Sequence, residues 1–339
     1  MGIIGLGTIA YIHQLGIEHS GLGELVAVSD LKLSARKDYE DYTFYEDFEE
    51  MLKEERLDVV HICLPHNLHV PIAKKCLEYG VHVFLEKPLS LTYKEGQELA
   101  EVVSKTEKKL GVCFQNRYNR TTKTLVDLLK NDSQGKVEKI KAVKGLVTWF
   151  RPESYYKAEP WRGNLACAGG GTIINQSIHT LDLMGLFAGE VKACKGKLMN
   201  LLEYDIEVED TAVARYEFEN DATGLYFATN AYEKNSSVEL EVITQRKRYM
   251  IKDYKLYEFS HNEEDGKLIT SDEVFEGTKA YYGLGHKLAI EHFYQSVVDG
   301  TDDYITVEEA LNSAMMIDLL RKSTETNEKI EVREIDRID

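Results

Sequence analysis

Glu86-Lys87-Pro88 follows the apolar run Val81-His82-Val83-Phe84-Leu85, so a buried strand is expected to deliver an acid and a base at its end. Proline fixes its own φ, biases the preceding residue away from the helical region and permits a cis bond, which predicts that Lys87 is held in one direction. A second set begins with Trp161-Arg162-Gly163 and continues through Gly169-Gly170-Gly171 into Thr172 to Asp182. The glycines allow a close backbone approach and an open helix start, so a helix is expected to begin beside a ligand. Asn175, His179 and Asp182 are spaced by four and then three, which predicts one shared helical face. Taken singly, each feature has a plainer reading as a strand-end turn or a satisfied core histidine. Taken together, a lysine, an imidazole and neighbouring polar groups are what a proton transfer requires.

The elements that must position these residues begin with the strand Met1-Gly2-Ile3-Ile4, the loop Gly5-Leu6-Gly7-Thr8-Ile9-Ala10 and a helix over Tyr11 to His19. This is a dinucleotide fingerprint ending in alanine. Gly5 permits the tight turn, Gly7 lets backbone approach a pyrophosphate, Thr8 and Ile9 complete the loop, and Ala10 allows close helix-strand packing. The strand Leu25 to Val28 leads to Asp30, about twenty residues beyond Ala10. A carboxylate there would bind a ribose 2′-hydroxyl and repel a 2′-phosphate, favouring NAD, while Lys32 and Arg36 leave NADP possible. A helix over Phe44 to Leu52 and a strand over Asp58 to Leu64 follow. Pro65-His66-Asn67-Leu68-His69 then opens a helix over Val70 to Tyr79, with Gly80 as C-cap. Strand ends face the ligand crevice in such a sheet, so Leu64, Pro65, His66, Leu68, His69, Glu86 and Lys87 are expected beside the cofactor. A helix over Tyr93 to Lys105 and a strand over Leu110 to Phe114 complete a domain of residues 1–115, ending at Gln115.

From residue 116 to 339 the texture changes. After a helix over Thr124 to Lys130 come the extended segments Val137 to Phe150, Val191 to Leu201, Thr211 to Phe218, Thr223 to Thr229 and Val238 to Thr244. Their alternation, as in Ala212-Val213-Ala214-Arg215-Tyr216, predicts an α+β domain on a large open, mainly antiparallel sheet with unlike faces. Helices return over Gly285 to Asp299 and Val307 to Glu325.

A chain of 339 residues, 43% of them hydrophobic, can bury a large core and is long enough for two domains. The net charge of −17, from 41 basic and 58 acidic residues, argues against nucleic acid and anionic lipid surfaces as partners. Five scattered cysteines without a Cys-x-x-Cys pair fit a reducing cytoplasm, and no ligand spacing predicts a metal site. Neither a run of about 20 apolar residues nor a leader-like start is present, so a cytoplasmic protein is expected.

Gly5-x-Gly7-x-x-Ala10, Asp30, Pro65-x-x-Leu68-His69, Glu86-Lys87-Pro88 and Phe114-Gln115-Asn116-Arg117-Tyr118-Asn119 together resemble the glucose-fructose oxidoreductase / inositol dehydrogenase / rhizopine-catabolism (Gfo/Idh/MocA) family, collinearly across the first domain. The resemblance implies a Rossmann domain with Lys87 at the active site. It also implies a second-domain sheet whose exposed face packs on another subunit, giving a homodimer or homotetramer. His179 matches the catalytic histidine of the family, whereas Asn175 stands where the family has aspartate. A carboxylate both orients an imidazole and raises its pKa, while an amide oxygen orients it without charge.

The implied reaction moves a hydride between NAD and a secondary alcohol of a sugar, cyclitol or related polyol. His179 is expected to take the hydroxyl proton and Lys87 to stabilise the alkoxide, with the two roles exchangeable. The carbohydrate-like substrate is expected to meet Asn116, Arg117, Tyr118, Trp161, Arg162, Asp182 and His286, with Tyr155 and Tyr156 as flat faces. An NAD-retaining glycoside hydrolase and a non-catalytic NAD(H)-binding regulator are the alternatives.

Overall fold

The computed structural model describes residues 1–130, 138–260, 265–273 and 284–335. Short apolar segments separated by amphipathic ones fold into a six-stranded parallel sheet. Its strands are β1 (Gly2–Ile4), β2 (Ala27–Ser29), β3 (Thr43–Tyr45), β4 (Val59–Ile62), β5 (His82–Glu86) and β6 (Leu110–Cys113). The order β3-β2-β1-β4-β5-β6 is the doubly wound one, and the order reverses between β1 and β4. Ile3 pairs with Val28 on one side and His61 on the other, so the ends of β1, β2 and β4 are level. The expected helix over Phe44 to Leu52 is instead β3 followed by the helix Phe48–Glu54, because Asp47 caps that helix by accepting from Glu49 N.

The nine-stranded second sheet comprises β7 (Ile140–Thr148), β8 (Val191–Met199), β9 (Thr211–Phe218), β10 (Thr223–Thr229), β11 (Glu239–Thr244), β12 (Lys247–Lys252), β13 (Lys255–Ser260), β14 (Lys267–Ser271) and β15 (Ile330–Glu331). Its order is β14-β13-β12-β11-β7-β10-β9-β8-β15, antiparallel except for the β7/β10 pair. The strands β12, β13 and β14 were not expected from the sequence. Val137, the expected start of the first segment, lies outside the described residues. One face buries Val143, Val147, Tyr216 and Tyr226 under the helix Ile178–Ala188. Gly145 makes that approach possible, since a Cβ there would lie 2.7 Å from both Met184 Sδ and Thr180 Cγ2. On the opposite face, apolar residues such as Leu225, 53% exposed, alternate with the ion pairs Lys144–Glu241, Arg248–Glu241 and Lys252–Glu239.

Contacts divide the chain into two units. The first joins Met1–Tyr118 to the described part of Phe275–Leu311, and the second joins Asn119–Val274 to the described part of Asn312–Asp339. The helix Gly285–Asp299, placed by the sequence reading within residues 116–339, thus groups with the first unit. Its Phe293 ring lies 5.3 Å from that of Phe84 and under Gly111, where a Cβ would meet Phe293 Cδ2 at 2.6 Å. No helix among the described residues is long and apolar enough to cross a membrane.

Candidate functional site

The first unit carries its glycine loop at the level ends of β1, β2 and β4. Gly5 has φ 89°, and a Cβ on it would lie 2.7 Å from the Cys63 carbonyl oxygen, so only glycine fits this turn. Around Gly7 a Cβ would meet nothing within 4 Å, leaving open the space that a pyrophosphate needs, while Thr8 is exposed beside it. Asp30 ends the β2 segment and accepts from Leu6 N and Lys32 N, both at 2.7 Å, which ties its carboxylate to the glycine loop. His69 bridges two strand-end loops, with Nδ1 2.7 Å from the Pro88 carbonyl and Nε2 2.9 Å from that of Leu64. That ring therefore holds the crevice wall in place. His66 and Gln115 are buried, Leu64, Pro65, Leu68 and Ile9 half-buried, and Asn116 Oδ1 has no hydrogen-bond partner among the described residues.

Lys87 follows β5 and is half-buried, and its bond to Pro88 is cis. Burial lowers its pKa, opposed by the Glu86 charge. Glu86 itself sits in a buried network that the sequence reading missed. Its Oε1 lies 2.9 Å from His13 Nε2 and 3.4 Å from His286 Nε2, and its Oε2 accepts from Lys87 N at 3.1 Å. His13 Nδ1 meets His61 Nδ1 at 2.7 Å, and His61 Nε2 meets Tyr294 OH at 2.6 Å. At the contact between the two rings one nitrogen must donate and the other accept, so the proton positions along Tyr294, His61, His13 and Glu86 are coupled. Burial would raise the Glu86 carboxyl, yet the hydrogen bonds from His13 and His286 outweigh it and hold the group well below the usual carboxylate range. Burial, reinforced by His13, keeps His61 neutral. His13, Glu86, Cys113 and His286 offer donor atoms within 4.8 Å of one another, a metal-compatible set that sequence spacing did not reveal. The His13 and His286 contacts to Glu86 within it are those of a hydrogen-bonded carboxylate.

In the second unit the glycine run behaves differently from expectation. A Cβ on Gly171 would lie 1.8 Å from Glu209 O, so the close approach is to the protein itself. The Glu209 carboxylate accepts from Gly171 N at 2.8 Å and Ile173 N at 3.0 Å, occupying the amides that would have met a ligand. Thr172–Gln176 forms a π turn, and the regular helix starts only at Ile178. His179 and Asp182 consequently share that helix, while Asn175 lies on the turn before it. His179 is 4% exposed, and Asp182 accepts from Ser313 Oγ in the core. Asn175 Nδ2 and Gln176 Nε2 both approach the Tyr155 hydroxyl, at 3.4 and 3.1 Å. Gln176 Oε1 in turn accepts from Asn230 Nδ2, which fixes its amide orientation.

Several expected substrate contacts are engaged elsewhere. Arg117 pairs with Glu309 at 2.9 Å, Tyr118 stacks on His292 at 5.0 Å, and His286 belongs to the Glu86 cradle. Trp161 packs against the Tyr156, Ala168 and Val208 cluster, with Arg162 beside it.

Comparison with known proteins gives two family matches. The Gfo/Idh/MocA oxidoreductase family model, NAD-binding Rossmann fold, matches residues 1–114, and that of its C-terminal alpha/beta domain matches residues 130–332. The myo-inositol 2-dehydrogenase of Thermotoga maritima is 23% identical over 99% of both chains. The uncharacterized oxidoreductase YrbE of Bacillus subtilis is 29% identical over 65% of this chain and 64% of its own length, and the D-glucoside 3-dehydrogenase of Escherichia coli is 30% identical over 54% and 52%. The chain thus spans between half and two thirds of those last two relatives. Among solved structures, the WlbA dehydrogenase of Chromobacterium violaceum in complex with NADH and UDP-GlcNAcA superposes with a TM-score of 0.84 at 26% identity, covering 97% of this chain and 94% of that one.

Proposed function

The chain belongs to the Gfo/Idh/MocA oxidoreductase family, and from that membership we propose that it moves a hydride between NAD and a secondary alcohol of a sugar, cyclitol or related polyol. The observation that carries the reading is Lys87, a half-buried amine of depressed pKa at the end of β5, in the same unit as an open glycine loop braced by Asp30. Two of the relatives named above are a myo-inositol 2-dehydrogenase and a D-glucoside 3-dehydrogenase, which supports the substrate class. None of them is named as a hydrolase or a regulator.

NAD bound on the glycine loop would supply the hydride acceptor. The chain's own residues must then remove the hydroxyl proton as the C–H electrons leave. His179 is proposed to take it, with Asn175 orienting rather than charging the imidazole, and Lys87 to stabilise the developing alkoxide. Lys87 with a lowered pKa exchanges a proton near neutrality more readily than an ordinary lysine, so it can also serve as the base. A carboxylate at Asp30 favours NAD over NADP. The open face of the second sheet, with Leu225 exposed, is proposed to pack on a second copy of the chain.

The test is nicotinamide reduction by absorbance with NAD and NADP across sugars, inositols and sugar acids, for the native protein and for Lys87→Ala. Loss of a proton-transfer group lowers turnover about 10²- to 10⁴-fold while NAD affinity stays within a few-fold. A fully active Lys87→Ala protein refutes the assignment.

A further inference from the structure

Most arginines of the second unit hold a carboxylate: Arg120 pairs with Glu273, Arg215 with Glu217, Arg248 with Glu241, Arg321 with Asp318 and Arg333 with Glu331. Arg151 and Arg162 do not. Arg151 donates to the Phe150 carbonyl at 2.7 Å and to Asn235 Oδ1 at 3.1 Å, and Arg162 to the Tyr155 carbonyl at 3.3 Å. Neither lies within ion-pairing distance of an acid among the described residues, although acids outnumber bases 58 to 41 in the chain. Both arginines are half-buried and their guanidinium groups lie over one ring, that of Tyr155, at 5.5 and 4.4 Å from its centroid. Aromatic faces and neutral carbonyls compensate a partly desolvated cation only in part.

Tyr155 adds a third donor. Its oxygen is approached by the amide nitrogens of Asn175 and Gln176, and the Gln176 amide orientation is fixed by Asn230, so the hydroxyl oxygen acts there as an acceptor. Its own proton has no acceptor among the described residues. Arg151, Arg162 and Tyr155 thus gather two forked cations and a hydroxyl donor around one ring, a donor set whose charge and geometry an oxyanion matches.

We infer that Arg151, Arg162 and Tyr155 form an oxyanion subsite, so that the substrate is an acidic sugar derivative bearing a carboxylate or a phosphate rather than a neutral polyol. The inference rests on the dehydrogenase reading and deepens it. It assigns Arg151 and Tyr155 to specificity and narrows the role of Arg162. Tyr155 connects the subsite to Asn175, so the anion would sit one side chain away from the π turn that leads into the His179 helix.

Its test compares NAD reduction by three matched sugars: D-glucose, D-glucuronate and D-glucose 6-phosphate. A charge-assisted contact is worth about tenfold to a hundredfold, so kcat/KM for the carboxylate or the phosphate should exceed that for glucose by at least about ten. Whichever of the two shows the advantage names the anion. Arg151→Gln and Arg162→Gln should each bring the ratio of acidic to neutral kcat/KM towards one, and Tyr155→Phe, the mildest change, should lower it several-fold. Glucose turned over as well as both acids, or a ratio retained in every variant, overturns the inference. Calorimetry of D-glucuronate and inorganic phosphate with the NADH-loaded protein separates the two readings. If no sugar reduces NAD but an anion binds and is lost in Arg162→Gln, the dehydrogenase reading fails and the subsite stands. If neither anion binds, the subsite is refuted.

Discussion

Acidification from pH 6.5 to 5.5 should destabilise the first unit selectively. His61, His69 and His286 are buried there, and burial lowers all three pKa values from the ordinary 6.5, opposed by Glu86 at His61 and His286 and chiefly by the Pro88 and Leu64 carbonyls at His69. In the unfolded chain each titrates near 6.5, so below that pH the unfolded state binds protons the folded state refuses, and stability falls as pH falls. Each imidazole kept fully neutral contributes a slope of about 1.4 kcal/mol per pH unit, and His61 and His286 together give about 3 kcal/mol per unit. The Glu86 carboxylate, of depressed pKa, adds its own loss only at lower pH. Trp149 and Trp161 both lie in the second unit, so tryptophan fluorescence would miss the effect. Hydrogen exchange at β4 and β5, corrected for intrinsic rate and measured at pH 7.5, 6.5 and 5.5, follows it directly. Protection should drop between the last two points, and His61→Gln should remove about one proton's worth of slope. Equal protection at pH 7.5 and 5.5 refutes the burial argument.

Gly171→Ala forces a methyl into the Glu209 carbonyl and breaks the turn held by the Glu209 carboxylate, for a loss of about 3 kcal/mol or more, read by urea denaturation followed by tryptophan fluorescence. An unchanged midpoint would show that the loop yields freely. Asp30→Ala should lower the NAD-to-NADP ratio of kcat/KM by about tenfold or more, through loss of a charged hydrogen bond; steady-state rates with both nucleotides decide it. Leu225→Glu should reduce the oligomer to monomer in light scattering if the open sheet face packs on a second copy, and an unchanged mass refutes that packing.

What could be read in the sequence was local. Gly5-x-Gly7-x-x-Ala10 implies its loop, since steric demands act within a few residues, and Thr211 to Phe218 alternates strictly enough to be assigned with its exact limits. The helix Gly285–Asp299 was also found, but not the unit it joins, because Phe293 meets Phe84 across a separation no periodicity records. Lys247–Lys252 escaped because its residues are mostly half-buried and show no apolar alternation. The π turn at Thr172–Gln176 depends on Glu209, which captures two of its amides from far along the chain. The same reason hid the Glu86 cradle: His61 and Tyr294 are 233 positions apart.

That cradle has a consequence for how the protein can vary. In the row from Tyr294 through His61 and His13 to Glu86, each group fixes the proton of the next, so the positions are not separable units of sequence change. Losing His61 strands a hydroxyl on one side and an imidazole nitrogen on the other, both buried. Substituting Tyr294 by Phe in that background removes one of the two debts, so the double variant should be less damaged than the single effects predict. Mutational paths through this region therefore favour particular orders of substitution, and a residue tolerated in one sequence background would be rejected in another.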